Sequence, residues 1–162
     1  MNHALRADHD AHSEPTLALQ RKLLAMPPVR ALELRVSDYD GDTLQLMAPL
    51  AANINDKGSA FGGSLASLMT LAAWGLATLK LGEAGHEADV YVQDSQLRYL
   101  YPLYDDLHIC ARLAPSQEWS TFIATYTARG KARALLCAEV RNARGDVVTS
   151  FEGRYVALRP GA

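Results

Sequence analysis

The chain has 162 residues, 49% of them hydrophobic and 21% charged, and a formal net charge of −2. That length suits one domain with its own core, and the composition excludes a chain disordered over most of its length. A balance so near neutral gives no electrostatic reason for nucleic acid or an anionic membrane to be the main partner.

Residues 1–15 read as a flexible leader: Met1 to Glu14 is polar and has no apolar stretch of the signal-peptide type, so the protein is expected to be soluble and cytoplasmic. His3, His9 and His12 fall in this leader and read as a solvated tail rather than a metal site. Ser13 or Thr16 is placed to cap a short helix running through Met26, with Leu17, Leu23 and Leu24 on its apolar side, and Pro27-Pro28 ends it. Two strands follow. Leu32, Leu34 and Val36 alternate with other residues, and after the turn signal Asp38-Tyr39-Asp40-Gly41-Asp42 so do Leu44, Leu46 and Ala48, which reads as a hairpin. Residues 49–60 read as loop.

From Gly62 or Gly63 to about Leu81 runs the one long helix, ended by Gly82 with Gly85 beyond. It is apolar on almost every face, so other structure must wrap it. The run 65–81 is short for a membrane span and is broken by Ser67, Thr70, Gly75, Thr78 and Lys80, so no membrane is expected. Strand-like runs then cover Val90–Tyr101, Leu107–Leu113, Ser120–Ala128, Ala132–Arg141 and Val147–Leu158. Their inward sets read as Phe122, Ala124 and Tyr126, then Ala134, Leu136, Ala138 and Val140. Cys110 and Cys137 lie in such runs with no second Cys or His pair at zinc spacing; they read as small buried hydrophobes in a reducing compartment, and no metal is expected.

Strand, strand, long buried helix and about four antiparallel strands make an α+β domain over residues 16–160. One antiparallel sheet can bury such a helix only by curling around it, which is the hotdog architecture. That arrangement leaves an edge strand and part of the helix uncovered, so a homodimer is expected, with paired dimers as the larger alternative.

The loop Asn55-Asp56-Lys57-Gly58-Ser59-Ala60-Phe61-Gly62-Gly63-Ser64 opens the long helix. An amide side chain, backbone N–H groups at Gly62 or Gly63 and the positive end of the helix dipole together suit an anionic oxygen. No carboxylate, histidine or cysteine stands on the first helical turns to move a proton. The plainer readings are a turn-forming Asn, a Thr70 hydroxyl bonded to the preceding helical turn, and glycines that permit close packing.

The pattern Asn55, Gly58, Phe61-Gly62-Gly63, continuing through Ser64-Leu65-Ala66-Ser67-Leu68 and Ala73-Trp74-Gly75-Leu76, resembles the YiiD C-terminal-type hotdog proteins. That group is thioesterase-like and includes the malonyl-acyl-carrier-protein decarboxylases. In hotdog thioesterases of the phenylacetyl-CoA type, an Asn is followed six positions later by His-Gly-Gly and fifteen positions later by a helical Asp or Glu. Here the sixth position is Phe61 and the fifteenth is Thr70. The resemblance implies Asn55 and Thr70 as a catalytic pair in the decarboxylation of malonyl-acyl carrier protein or malonyl-CoA to the acetyl thioester, in support of fatty acid synthesis. It implies no cofactor, because the substrate brings its own phosphopantetheine or CoA. Loss of carbon dioxide needs no base, and a neutral Thr70 avoids repelling the substrate carboxylate.

Asn53, Phe61, Ser64 and Ser67 are candidate pocket residues, each with a simpler role as turn cap, apolar wall or helix-packing group. Asp94 is a candidate base for the alternative activity, thioester hydrolysis; the plainer reading is a satisfied strand carboxylate. A non-catalytic acyl-thioester binding module is the third reading. Arg129, Lys131 and Arg133, with Arg141 and Arg144, form a basic set suited either to an acidic carrier protein or to plain solvation. His86 and His108 read as surface residues.

Overall fold

The computed structural model describes residues 13–162; His3, His9 and His12 lie outside that range. Helix α1 spans Glu14–Leu24, so Glu14 and Pro15 already belong to it rather than to a leader. Ser13 occupies the cap position, but its hydroxyl meets that of Thr16 at 3.0 Å instead of a backbone N–H. Leu19 and Leu23 face the core, while Leu17 is exposed. The Pro27-Pro28 pair that ends α1 also starts a short second helix, α2 (Pro27–Arg30), because proline is pre-set for the first helical positions.

Strands β1 (Arg35–Tyr39) and β2 (Thr43–Ala48) form the expected hairpin. Its turn is held by Asp40, whose Oδ1 accepts the N–H groups of Asp42 at 2.9 Å and Thr43 at 2.7 Å. The long helix, α3, covers Gly62–Glu83 and closes through Gly85 at φ +79°. Next come β3 (Asp89–Tyr99), β4 (Leu107–Leu113), α4 (Trp119–Arg129), β5 (Lys131–Arg141) and β6 (Val147–Leu158).

All six strands join one antiparallel sheet in the order β1-β2-β4-β5-β6-β3. The sheet curls around α3, whose Leu68, Met69, Ala72, Ala73, Leu76 and Ala77 are completely buried against Leu44, Leu46, Ile109, Leu136 and Tyr155. Each such leucine contributes on the order of 1.5–3 kcal/mol of apolar burial. Length and apolarity alone would let α3 cross a bilayer, but most of it is buried inside the curl, which makes it a core helix.

One strand expectation is wrong. Residues 120–128 are helical, and α4 turns Phe122 and Tyr126 into the core with Trp119 and Ile123 packed beside them. Those four positions follow helical spacing, so Ala124 is exposed rather than inward-facing. Gly130, at φ +66°, ends α4 in the left-handed conformation that glycine adopts without strain.

β3 is the edge strand opposite β1, and it is exposed along almost its whole length. Beside it a stripe of α3 through Gly63, Ser67, Thr70 and Trp74 is also incompletely covered.

Candidate functional site

The loop before α3 is built by Asn55. Its Oδ1 accepts the N–H groups of Lys57 at 2.8 Å and Ser59 at 3.1 Å, and its Nδ2 donates to Ser59 Oγ at 2.9 Å. The turn-forming role is therefore real. It uses one of the two amide hydrogens, leaving the other without a protein partner among the described residues. Asn53, only 2% exposed, ties the loop down: its Nδ2 donates to the carbonyls of Leu32 at 2.9 Å and Pro49 at 2.8 Å, and its own carbonyl accepts the Phe61 N–H at 2.7 Å. Asn53 is thus a latch behind the site rather than a pocket residue. The Ala60 N–H donates to Leu103 O at 2.8 Å, which joins the loop to the segment leaving β3.

A cleft of about 290 Å³ opens where these pieces meet, lined by Asn55, Ser59, Ala60, Gly62, Leu65, Tyr99, Leu100, Tyr101, Pro102 and Leu103. Its polar groups are an amide and hydroxyls. Among the described residues, no carboxylate, histidine or cysteine stands in this lining. At its edge α3 begins, and no acceptor among the described residues takes the N–H groups of Gly62, Gly63 or Ser64, whereas Leu65 N–H is already bonded to Phe61 O at 3.1 Å.

Two exposed aromatic rings bracket the glycine pair. A Cβ on Gly63 would stand 2.5 Å from the Phe61 ring, so glycine is needed for that approach. A Cβ on Gly62 would meet the Tyr99 ring at 3.5 Å, an ordinary contact. Phe61 itself is 55% exposed and is not among the residues that line the cleft.

The other expected residues fall elsewhere. Thr70 lies eight residues beyond Gly62, roughly 12 Å along the helix axis, and does not line the cleft. Its Oγ1 donates to Ala66 O at 2.8 Å, the plainer of its two readings, while its carbonyl accepts the Tyr155 hydroxyl at 2.7 Å. Ser67 shares Thr70's uncovered stripe, and Ser64 is buried.

Asp94 is a correction. A bulge between Val92 and Asp94 inserts Gln93, so Asp94 pairs with Arg154 and points to the outer face of the sheet, away from α3. Its carboxylate lies 3.7 Å from Arg154, with both side chains about half exposed. It does not line the cleft of its own chain.

Arg129, Lys131 and Arg133 also sit away from it. Lys131 and Arg133 pair with Leu158 and Val156, whereas the cleft end of β5 is marked by Val140, the register partner of Thr149. Seven residues separate Arg133 from Val140, roughly 23 Å of strand. Arg133 Nε is engaged with Gln93 Oε1 at 3.0 Å.

Both thiols are half-buried on the outer face, Cys110 opposite Glu139 and Cys137 opposite Arg112. Burial pushes both thiols above their ordinary range, which keeps them protonated and poorly nucleophilic. Among the described residues no cluster of His, Cys, Asp and Glu could hold a metal ion.

Tyr99 and Tyr101 are cleft residues that the sequence reading missed. The available signal was the run Tyr99-Leu100-Tyr101-Pro102-Leu103-Tyr104, dense in aromatics where a strand ends and mostly exposed.

Comparison with known proteins gives one family match and many similar folds. Residues 17–159 match a family model described as "Putative thioesterase (yiiD_Cterm)". A crystal structure of a protein of unknown function from Chlorobaculum tepidum is similar at 31% identity and TM-score 0.82, over 88% of this chain and 93% of that one. The "putative thioesterase" of Shewanella oneidensis is similar at 26% identity and TM-score 0.80, over 90% of this chain and 98% of that one. The thioesterase HI1161 from Haemophilus influenzae shares the fold at 13% identity and TM-score 0.71, over 95% of this chain and 96% of that one.

Proposed function

Since the chain belongs to the YiiD C-terminal thioesterase family of hotdog proteins, we propose that it acts on acyl thioesters and, within that class, decarboxylates malonyl thioesters carried by acyl carrier protein or CoA. The observation that carries this reading is the cleft at the start of α3, which offers neutral hydrogen-bond donors and, among the described residues, no side chain able to activate water.

Decarboxylation asks for what such a cleft can give. The bond between the methylene carbon and the carboxylate breaks, and carbon dioxide leaves. The bonding pair forms the enolate double bond, and the thioester carbonyl becomes an oxyanion. A proton from water then goes to carbon and the carbonyl re-forms. The barrier falls when fixed donors meet the developing oxyanion, each contributing about 3–4 kcal/mol in comparable sites. The free Nδ2 hydrogen of Asn55 and the N–H groups at Gly62 and Gly63 are the donors of this reading. Thr70, with its hydroxyl on Ala66 O and outside the cleft lining, supplies no donor to the cleft in this reading. No metal or organic cofactor is called for by this chemistry.

Thioester hydrolysis is the second reading, favoured by the thioesterase description of the family and of the Shewanella oneidensis relative. It would need water activated by a group outside the cleft lining. In either case the exposed β3 edge and the uncovered α3 stripe support a homodimer.

The test is to incubate the purified protein with malonyl-acyl carrier protein, and separately with malonyl-CoA, and to follow the products by mass. Acetyl thioester is the expected product. Free thiol would move the assignment to hydrolysis, and unchanged substrate with measurable binding would make this a binding module.

A further inference from the structure

The cleft holds a second well-placed side-chain donor that no sequence motif marks. Tyr99 closes β3, where it pairs with Thr149 of β6. The bulge at Gln93 sets its direction: after it Ser95, Leu97 and Tyr99 share the α3 side of the sheet with Gly153, Phe151 and Thr149. The chain just beyond Tyr99 is pinned, since the N–H groups of Leu100 and Tyr101 both donate to Val148 O, at 2.8 and 3.2 Å. The phenol therefore projects over the first turn of α3 from a fixed backbone. Its ring rests on Gly62, and its hydroxyl donates to Gly62 O at 3.1 Å.

Two features suit this hydroxyl to a ligand. Its bond to Gly62 is long for O–H···O, where about 2.7–2.8 Å is usual, so a better acceptor can take the proton donor at little cost. An anionic oxygen is such an acceptor, because a charge-assisted bond is roughly twice as strong as a neutral one. The side chain is also 55% exposed, so a ligand in the cleft can reach it without opening the core. Tyr101 lines the same cleft, but its hydroxyl has no hydrogen-bond partner among the described residues.

We infer that Tyr99 is a catalytic hydrogen-bond donor that, with Asn55, contacts the thioester oxygen as it becomes negative. This rests on the acyl-thioester reading above. The predicted signature is a kinetic split: Tyr99→Phe keeps the ring over Gly62 and removes only the hydroxyl. It should lower kcat on malonyl thioester at least tenfold, change KM less than threefold and leave the thermal midpoint in place. Tyr99→Leu, which also removes the ring, should raise KM as well. A Tyr99→Phe variant with kcat within twofold of an active wild type would overturn the role of Tyr99 alone. A wild type that neither turns over malonyl or acetyl thioesters nor binds their thioether analogues would overturn the parent reading, and this one with it.

Discussion

The two ends of α3 are built on opposite plans. At the C-terminal end the face of the helix toward the β1–β2 turn and α4 is sealed, while a cleft of about 410 Å³ opens beside Thr78, Leu81 and Gly82. Lys80 donates to Gly41 O at 2.9 Å, lies 3.2 Å from Glu83 and sits over the Trp119 ring. Glu83 in turn accepts the Tyr39 hydroxyl, and burial first, then Glu83, pushes that phenol far above its ordinary range. Helix α4 adds Phe122 and Tyr126, and Tyr126 donates to Glu87 O at 2.8 Å. At the N-terminal end nothing comparable covers the helix. Its first N–H groups meet no acceptor among the described residues, glycines replace side chains, and the neighbouring aromatics stay half exposed. A helix start left uncapped costs stability that a purely structural end would recover through a cap. The open end is therefore the place to seek chemistry, and the sealed end supplies the rigidity behind it.

The largest expected effect at the open end is that of Asn55→Asp. This variant keeps the oxygen that accepts the Lys57 and Ser59 N–H groups but replaces the amide donor with negative charge. Turnover of malonyl thioester should fall roughly 100-fold or more, measured as steady-state kcat/KM, while the melting temperature shifts only slightly.

Phe122→Ala at the sealed end should do the reverse. Truncating a buried aromatic costs about 3–5 kcal/mol, or roughly 6–20 °C in melting temperature for a chain of this size. Turnover per folded molecule, assayed well below the transition, should stay within twofold. Equal loss of activity and stability in either variant would dissolve the contrast between the ends.

Gly63→Ala is a milder probe of the open end. The new methyl must displace the Phe61 ring, which is exposed and free to swing, so stability should change by less than about 1 kcal/mol. A few-fold change in KM with a smaller change in kcat is expected if the displaced ring borders the substrate slot.

The smallest effect belongs to the β1–β2 turn, beside the sealed end. Partial burial alone would raise the Asp40 carboxyl, but the Thr43 and Asp42 N–H groups outweigh it and hold the group below its ordinary value. A carboxyl lowered on folding adds stability above the unfolded value, near pH 4, and that contribution disappears as pH falls through the folded value. Denaturant titrations of Asp40→Asn between pH 5 and 2 should show a shallower acid loss than the wild type.

Much of this was legible because periodicity is a direct image of burial. The alternation of Leu44, Leu46 and Ala48, and of Ala134 through Val140, needs no tertiary knowledge. The all-round apolar character of 65–81 demands a wrapping sheet. Helix α4 escaped because Thr121, Ile123, Thr125 and Thr127 set β-branched residues at every second position, a strand-like signal, while Phe122 and Tyr126 satisfy either period. Tertiary packing of Trp119, Phe122, Ile123 and Tyr126 decided it. Asp94 escaped for another reason. Counting by twos from Val90 and Val92 sends it toward α3, and only the extra residue of the bulge turns it outward. That same bulge brings Tyr99 to the cleft. The Asn55 loop was readable from residue types, but its neighbours across the cleft come from a strand end more than forty residues after Asn55.

The most direct test is to locate a bound mimic. A malonyl-thioester analogue with sulfonate in place of the carboxylate cannot lose carbon dioxide, so its complex with the wild-type protein can be solved by crystallography. The account predicts its thioester oxygen within about 3.2 Å of Asn55 Nδ2 at the start of α3. An analogue seated at the α4 end, or on the outer face beside Asp94 and Arg154, would contradict it.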